Sequence, residues 1–328
     1  MSRSRVAYLA LAIALAGHLL IAERASAADG FPSATVKIVV PNPAGGTADT
    51  LPRIVADVLS RTWQRPVVIE NRTGAAGNIG AEYVYRAPPD GHTLLSSPPT
   101  TLAINQSLYK KLTYDSTKFK PITVLGSSPN VLIVNPKLGV TTVKELIDKA
   151  KAAPGTITYG SQGIGSTGHL TGVLFETMAG VKLNHVPYRG TAPAMKDLLG
   201  GHIHLMFDNL TSSLPHHQAG ALRIIAVCTP ERSTYLESVP TMIEAGLPDF
   251  VSVTWFGMAA PPGTPDDIIA KINRDVVAAL RIEEVRSKFL AQGATPVANT
   301  PAEMAAFIAA ERKRWGDVIE TAQLKLEE

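Results

Sequence analysis

Glycine and hydroxyl residues are concentrated in two loops, each of which follows a β-type run and precedes a helical pattern. The first loop is PNPAGGTAD at residues 41–49, and the second is YGSQGIGSTGH at residues 159–169. Glycine lets a backbone turn tightly with its N–H groups exposed, and a helix N-terminus adds about half a positive charge. Such a loop can bind a carboxylate or phosphate without Lys or Arg. The alternative for the first loop is a plain strand–helix turn in which Asp49 is the N-cap.

The second loop contains the spacing G-x-G-x-x-G at Gly163, Gly165 and Gly168, which is typical of dinucleotide-binding loops. The strand after its helix, at residues 184–189, lacks the acidic residue that would hold a ribose hydroxyl. Three hydroxyl residues lie in the same loop: Ser161, Ser166 and Thr167. Hydroxyl donors beside backbone N–H groups suit a small oxygen-rich ligand. We therefore expect a small anion here and no nucleotide cofactor.

Two cationic or titratable residues could add to an anion site. Arg189, in a third strand–helix loop at residues 187–191, could pair with a carboxylate through two hydrogen bonds, although a solvated surface Arg is an equal alternative. His169 ends the second loop and could donate to a bound anion. The remaining histidines of this region, His202, His204, His216 and His217, have no Asp or Glu spacing that completes a zinc site, so no metal is expected.

Composition excludes several other classes of protein. The chain has 328 residues and a formal net charge of +3, of which residues 1–27 supply +2 through three Arg and one Glu. The remaining body carries only +1, which argues against a nucleic-acid-binding protein with a basic face. The single cysteine, Cys228, excludes both an intramolecular disulfide and a cysteine-based zinc cluster.

The N-terminal sequence is typical of an export signal. Arg3 and Arg5 precede an apolar run at residues 6–22, and Ala25-Ser26-Ala27 supplies a small-x-small cleavage pattern. A transmembrane anchor is the alternative, but the run is only 17 residues long and contains His18, whereas a span takes about 20 apolar residues. We expect cleavage after Ala27 and a mature protein in the periplasm.

Strand and helix patterns alternate along the mature chain and predict an α/β fold with parallel sheets covered by helices. Strands are predicted at residues 35–40, 66–70, 92–96, 122–125, 131–134, 156–159, 184–186, 203–207 and 222–227. Helices are predicted at residues 49–61, 79–86, 143–152, 169–178, 193–199 and through most of the chain after residue 266. No linker separates two halves, so the chain is expected to cross between two domains within residues 126–130 and 252–257.

These loops resemble the Bug family, the periplasmic solute-binding components of tripartite tricarboxylate transporters. The resemblance covers nearly the whole mature chain in seven stretches: residues 43–49, 70–80, 159–170, 185–193 with 197–201, 207–209, 239–242 and 255–265. It implies a type II periplasmic-binding-protein fold, in which two α/β lobes enclose a cleft. Residues 1–27 are then a signal peptide, residues 28–127 plus 254–328 form lobe one, and residues 128–253 form lobe two.

The resemblance also implies a carboxylate held by backbone amides, hydroxyls and ordered water from the loops of each lobe. Carried onto this sequence, the ligand-binding residues are Gly45, Gly46, Thr47, Asp49, Ser161, Gly163, Gly165, Ser166, Thr167 and His169, with Arg189, Gly190, Thr191 and Asp208 as secondary candidates. Two positions depart from the family. Asn42 replaces a bulky, often aromatic residue, and Pro52-Arg53 replaces Ala-Arg at a point where we expect the first turn of a helix.

The leading hypothesis is a monomeric binding protein that closes on a carboxylate by hinge rotation and presents it to the membrane permease subunits. It needs no cofactor and is not an enzyme. One alternative is an exported α/β enzyme with His169 and Ser166 as its acid–base pair, although no acidic residue stands beside His169 to orient it. Another is a sensor that uses the same cleft and has a signalling kinase as its partner.

Overall fold

The computed structural model describes residues 30–324 and 326. The predicted signal peptide and its cleavage site lie outside this range. The strands are β1 (Val36–Val40), β2 (Val67–Asn71), β3 (Thr93–Ser97), β4 (Lys120–Val134), β5 (Thr158–Ser161), β6 (Asn184–Pro187), β7 (Leu205–Asn209), β8 (Arg223–Val227), β9 (Val253–Ala260) and β10 (Thr295–Pro296). The α-helices are α1 (Thr47–Trp63), α2 (Asn78–Tyr85), α3 (Asn105–Leu108), α4 (Val143–Ala152), α5 (Thr167–Ala179), α6 (Thr191–Gly200), α7 (Leu210–Gln218), α8 (Asp266–Arg281), α9 (Glu283–Ala291) and α10 (Pro301–Thr321).

The strands form two sheet regions that are joined through β4. In the first region β1 pairs in parallel with β2 and β3, and β9 runs antiparallel between β3 and β4. In the second region β5 pairs in parallel with β6 and β7, while β7 and β8 pair antiparallel with β4. The parallel strand–helix units predicted from the alternation are confirmed in both regions.

Strand β4 changes partners in the middle of its length. Its pairing with β9 ends at Pro129 opposite Val253, and its pairing with β7 begins at the next residue, Asn130, opposite Asn209. This change of partners falls within residues 126–130, where the sequence predicts that the chain crosses, and the strand is not interrupted there. A single 15-residue strand spans both predicted segments.

Each sheet region has its own apolar packing on both faces. In the first region, β1 places Ile38 against α1 and α8 on one face and Val39 against Trp255 and Met304 on the other. In the second region, β4 places Leu132 and Ile133 in two separate clusters. The two clusters lie on opposite faces because successive side chains along a strand point to opposite sides of the sheet. The apolar packing therefore uses the faces of the strands, and the loops at the strand ends remain available for other roles.

Helix α1 begins two residues earlier than its apolar spacing predicts. Gly46 is the N-cap, and no side chain caps the helix there. Pro52 is consequently the sixth helical residue rather than part of the first turn, and its missing N–H removes one hydrogen bond in the helix interior. No helix within residues 30–324 is both long and apolar enough to span a membrane.

Candidate functional site

Three helix N-termini follow the carboxyl ends of parallel strands. Helix α1 follows β1 through the first loop, α5 follows β5 through the second, and α6 follows β6 through the third. The first N–H groups of an α-helix have no acceptor within the helix, and together with the helix dipole they attract an anion. The structure therefore supplies three partial positive charges built from neutral groups.

In the first loop, Gly45 is the residue that requires glycine. Its φ of +90° lies in the left-handed region, whereas Gly46 has φ −93° and ψ 172°, which other residues also adopt. A Cβ built on Gly46 would meet no atom within 4 Å. The expectation that both glycines turn tightly is corrected here, because only Gly45 does. Thr47 is the first residue of α1 and is buried.

Asp49, predicted as a ligand residue, holds the first loop in place. Its side chain is 4% exposed and accepts hydrogen bonds from the Gly45 N–H, from the Arg53 guanidinium and from the Asn71 amide. Burial alone would raise the pKa of Asp49, but the hydrogen bonds from Arg53, Asn71 and Gly45 outweigh burial and lower it. The carboxylate is charged and fully engaged, so it fixes the turn that presents the N–H groups of α1.

The second loop is fixed by its own hydroxyls. Ser161 Oγ lies 2.7 Å from His185 Nε2 and also exchanges hydrogen bonds with the backbone of Gly163. Gly163 and Gly165 have φ of +133° and +77°. Ser166 is the N-cap of α5, and its Oγ accepts from the His169 N–H at 3.2 Å. A hydroxyl that accepts one bond still carries a proton to donate, so Ser166 remains able to bind a carboxylate.

His169 lies in a stack of aromatic rings beneath this loop. Its ring is 4.1 Å from that of His185, which is 4.8 Å from the ring of Tyr159. His169 Nδ1 accepts the Gly165 N–H at 3.1 Å. Burial, assisted by the charge of a protonated His185, lowers the pKa of His169 from 6.5 to about 3, and burial lowers that of His185 to about 4. His169 is therefore neutral, and its Nδ1 is committed to the loop backbone.

Two further candidates contact neighbouring side chains of the protein. Thr167 Oγ1 lies 2.7 Å from Thr254 Oγ1 on β9. Asp208, at the end of β7, is fully buried and accepts hydrogen bonds from Gln162 in the second loop and from Ser212 and Ser213. Burial raises the pKa of Asp208 in spite of these donors. These hydrogen bonds connect the second loop to β9 through Thr167 and to β7 through Asp208.

The first and third loops meet each other. Gly190, the N-cap of α6, has φ +106°, and a Cβ on it would lie 3.3 Å from Cγ of Pro43 in the first loop. Arg189 beside it is exposed, and Thr191 is half-buried at the first position of α6. Arg189 therefore stands at the edge of the site.

The second loop meets the first sheet region at a different point. A Cβ on Gly165 would overlap Leu108 and would lie 3.8 Å from Oδ1 of Asn105, a buried residue of α3. Asn105 Oδ1 is one of a few buried polar atoms without a hydrogen-bond partner among the described residues; Asn42 Oδ1, Gln162 Oε1 and Ser96 Oγ are others. Buried polar atoms normally have a partner, and a ligand or ordered water supplies one at a binding site.

Sequence reasoning missed several of these residues. Asn105 lies outside any recognised motif, and His185 is identified only by its stacking on His169. Within the described part of the chain, no group of three or more His, Cys, Asp or Glu side chains is placed to hold a metal ion. A cavity of about 590 Å³ lies elsewhere, between α10 and the β4–β9 pair, and its lining includes Trp255, Phe307 and Arg314.

The chain is similar to known proteins over most of its length. Residues 51–324 match the model of the tripartite tricarboxylate transporter family receptor. Protein BugT of Bordetella pertussis is 39% identical over 301 residues, which cover 91% of this chain and 92% of that protein.

Two solved structures are similar over nearly their whole length. An R. palustris protein solved with adipate is 41% identical, with a TM-score of 0.86 and coverage of 89% of this chain and 98% of that one. MatC from Rhodopseudomonas palustris, solved with bound malate, is 32% identical, with a TM-score of 0.83 and coverage of 88% and 100%. The α/β fold is thus that of a periplasmic binding protein, and the predicted fold class is confirmed. The chain belongs to the Bug family, the receptors of tripartite tricarboxylate transporters.

Proposed function

We propose that this protein captures a small dicarboxylate between its two sheet regions and delivers it, as a monomer, to the membrane permease subunits of a tripartite tricarboxylate transporter. The observation that carries the proposal is the convergence of loops from both regions. Pro43 of the first loop faces Gly190 of the third, and Gly165 of the second faces Asn105. The relatives solved with adipate and with malate show that dicarboxylates bind to similar proteins.

The two sheet regions are the two lobes of this proposal. Lobe one comprises residues 28–127 plus 254–328, and lobe two comprises residues 128–253. The change of partners in β4 between Pro129 and Asn130 supports a boundary at this point of the chain. Hinge closure brings the loops of both lobes onto one ligand, and a ligand that contacts both lobes favours the closed state.

The carboxylates are held by neutral donors. We assign this role to the N–H groups at the starts of α1, α5 and α6, to the hydroxyl of Ser166, and to the backbone of Gly45, Gly46, Thr47, Gly163, Gly165, Gly190 and Thr191. Ser161, Thr167, His169, Asp49 and Asp208 position the loops, because their side chains are engaged by other protein groups. Arg189 adds one exposed cation at the rim.

The same contacts support binding rather than catalysis. An acid–base pair of Ser166 and His169 would need the imidazole to accept the hydroxyl proton. Here His169 Nδ1 accepts the Gly165 N–H instead, and Ser166 Oγ accepts the backbone N–H of His169.

The proposal also includes export through a signal peptide that is cleaved after Ala27. Mass spectrometry of the periplasmic protein tests this, because the mature chain should begin at Ala28.

Thermal unfolding against a panel of mono-, di- and tricarboxylates that includes adipate and malate tests the binding function. A ligand at about 100 times its Kd stabilises the folded state by ~2.7 kcal/mol. Ser166→Ala should weaken binding about tenfold to a hundredfold, since it removes a hydrogen bond to a charged group.

Thr142→Ala is the matched control, because Thr142 caps α4 with the same kind of bond to a backbone N–H. Both variants lose an N-cap, but only Ser166→Ala should lose affinity. A panel in which no carboxylate raises the melting temperature would reject the proposed function.

A further inference from the structure

Six polar side chains form a buried cluster between α5 and the strands that join the two sheet regions. We call it the hinge cluster, and its members are Asn130, Thr167, Thr171, Asn209, Ser252 and Thr254. Asn130, Thr171 and Ser252 are 0% exposed, and Thr254 is 2% exposed. Burying polar groups is costly unless each has a partner, so the arrangement of partners decides what the cluster does.

The hydrogen bonds form a closed ring with one consistent direction. Asn130 Nδ2 donates to Ser252 Oγ at 2.7 Å, and Thr171 Oγ1 donates to the carbonyl of Thr167 at 2.6 Å. Because the Thr171 proton is used there, Ser252 must be the donor in its 2.6 Å contact with Thr171. One chain of donors therefore runs from Asn130 to the backbone of Thr167.

A second chain returns from Thr167 to Asn130. Thr254 Oγ1 donates to Asn130 Oδ1 at 3.0 Å, so Thr167 must be the donor in its 2.7 Å contact with Thr254. Asn209 Nδ2 also donates to Asn130 Oδ1, at 2.9 Å. Both ends of the Asn130 amide are thus connected to Thr167, one to its carbonyl and one to its hydroxyl.

The ring joins the hinge to the ligand loop. Asn130 is the residue at which β4 leaves β9 and begins to pair with β7, and its backbone N–H donates to the Ser252 carbonyl. Thr167 is the first residue of α5 and directly follows the N-cap Ser166. Apolar side chains of similar shape would fill this space with little loss of stability, but they would not fix the direction of α5. A fully satisfied polar network holds one geometry.

We propose that Asn130 is a positioning residue that, through the hinge cluster, couples the anion-binding N-terminus of α5 to the rotation of the hinge strands. The inference rests on the proposed function in taking α5 as part of the ligand site. A ligand that pulls on the start of α5 then acts on β4 and β9 where they cross between the sheet regions. Without the ring, α5 and the hinge would reorient independently.

Thr254→Val tests the coupling, because it removes the hydroxyl that joins Thr167 to Asn130 and keeps the shape of the side chain. Thr254→Ser restores the hydroxyl and serves as rescue. Thr171→Val interrupts the other chain and leaves both Thr254 bonds intact, because Asn130 Nδ2 reaches the Thr171 hydroxyl both through Ser252 and directly, at 3.2 Å. Thr177→Val is the matched control, since Thr177 lies further along α5 and its hydroxyl bonds only within the helix, to the Val173 carbonyl.

Fluorophores on Asp57→Cys in α1 and Lys196→Cys in α6 report the separation of the two sides of the cleft by single-molecule energy transfer. Both positions are exposed, and the native Cys228 is 0% exposed and will not be labelled. The ligand-free distance distribution is recorded first, and then titrations with adipate and with malate.

We expect Thr254→Val and Thr171→Val to broaden the ligand-free distance distribution and to weaken binding of whichever acid the wild type binds by about fivefold to tenfold. Thr254→Ser and Thr177→Val should match the wild type. A merely structural role would lower the melting temperature and leave the distance distribution of the folded protein unchanged, which would overturn the inference. If Thr254→Val does not fold, Thr171→Val decides.

The ligand-free measurement separates this inference from the proposed function. A wild type that shows no response to either acid counts against dicarboxylate capture, while the variants still decide whether the hinge cluster controls the cleft. A wild-type distribution in both Thr254→Val and Thr171→Val overturns the coupling even if carboxylates bind.

Discussion

Acidification should destabilise this protein through the buried imidazole of His169. The pKa of His169 falls from 6.5 to about 3 in the folded protein, first because the ring is buried and second because of His185. Between these two values the unfolded chain binds a proton that the folded protein does not. Stability is then complete above about pH 6.5 and is lost as the pH falls toward 3.

The size of the effect at about pH 5 depends on the ordinary pKa of histidine rather than on the depth of the shift. That pH is about 1.5 pH units below 6.5, and each unit corresponds to ~1.4 kcal/mol. His169 should therefore reduce the free energy of unfolding by about 2 kcal/mol between about pH 8 and pH 5. His185, whose pKa is lowered to about 4 by burial, should contribute a similar loss of about 2 kcal/mol.

His169→Asn isolates this contribution, because the amide oxygen of Asn can accept the Gly165 N–H in place of Nδ1. Urea unfolding of the wild type and the variant at both pH values gives the two losses. The variant should lose about 2 kcal/mol less than the wild type, since all other titrating groups are common to both. His202→Asn, at an exposed position, is the control for replacing a histidine with asparagine. Equal losses for wild type and His169→Asn would show that the ring stack does not suppress protonation.

Three further predictions concern the loops. Gly190→Val should weaken dicarboxylate binding more than tenfold in calorimetry, because φ +106° is strained for Val and its side chain would press on Pro43; unchanged affinity would show that this contact is irrelevant to closure. Asp49→Ala should lower the free energy of unfolding by about 1–3 kcal/mol in urea, because the Gly45 N–H loses its acceptor, whereas Asp57→Ala on the exposed face of the same helix should change it by less than about 0.5 kcal/mol. Arg189→Ala should weaken binding less than tenfold, and the difference should shrink as salt is added, because an exposed charge is screened; a salt-independent loss would place Arg189 in a buried ion pair with the ligand.

Local patterns predicted most of the helices and strands, but not strand β9 (Val253–Ala260) or helix α3 (Asn105–Leu108). The helix predicted at residues 79–86 is Asn78–Tyr85, and the strand predicted at residues 92–96 is Thr93–Ser97. The short helix Leu210–Gln218 was missed, because it contains Pro215 and consecutive histidines that weaken a helical pattern. The position of Pro52 was also wrong, since the helix start depends on the fold of the first loop.

Local patterns likewise could not predict the hydrogen-bond partners of the side chains at the site. The glycine and hydroxyl residues identified the loops. Glycine allows the backbone to turn tightly, and hydroxyl groups form hydrogen bonds with backbone groups a few residues away. Their partners lie far away in sequence: Asp49 accepts from Asn71, and Gln162 donates to Asp208. The sequence therefore could not predict which protein groups the carboxylates of Asp49 and Asp208 accept hydrogen bonds from.

The sequence by itself determined the α/β alternation, the two glycine loops and the family, since each depends on residues that are neighbours in the chain. Only the tertiary structure decided which glycine turns the first loop, which polar residues hold the loops, and how α5 is joined to β4 and β9. The bonds from Thr254 reach residues 87 and 124 positions away. Contacts over such separations are set by how the sheet regions pack. A local sequence pattern carries no information about which distant side chain will supply the hydrogen-bond partner.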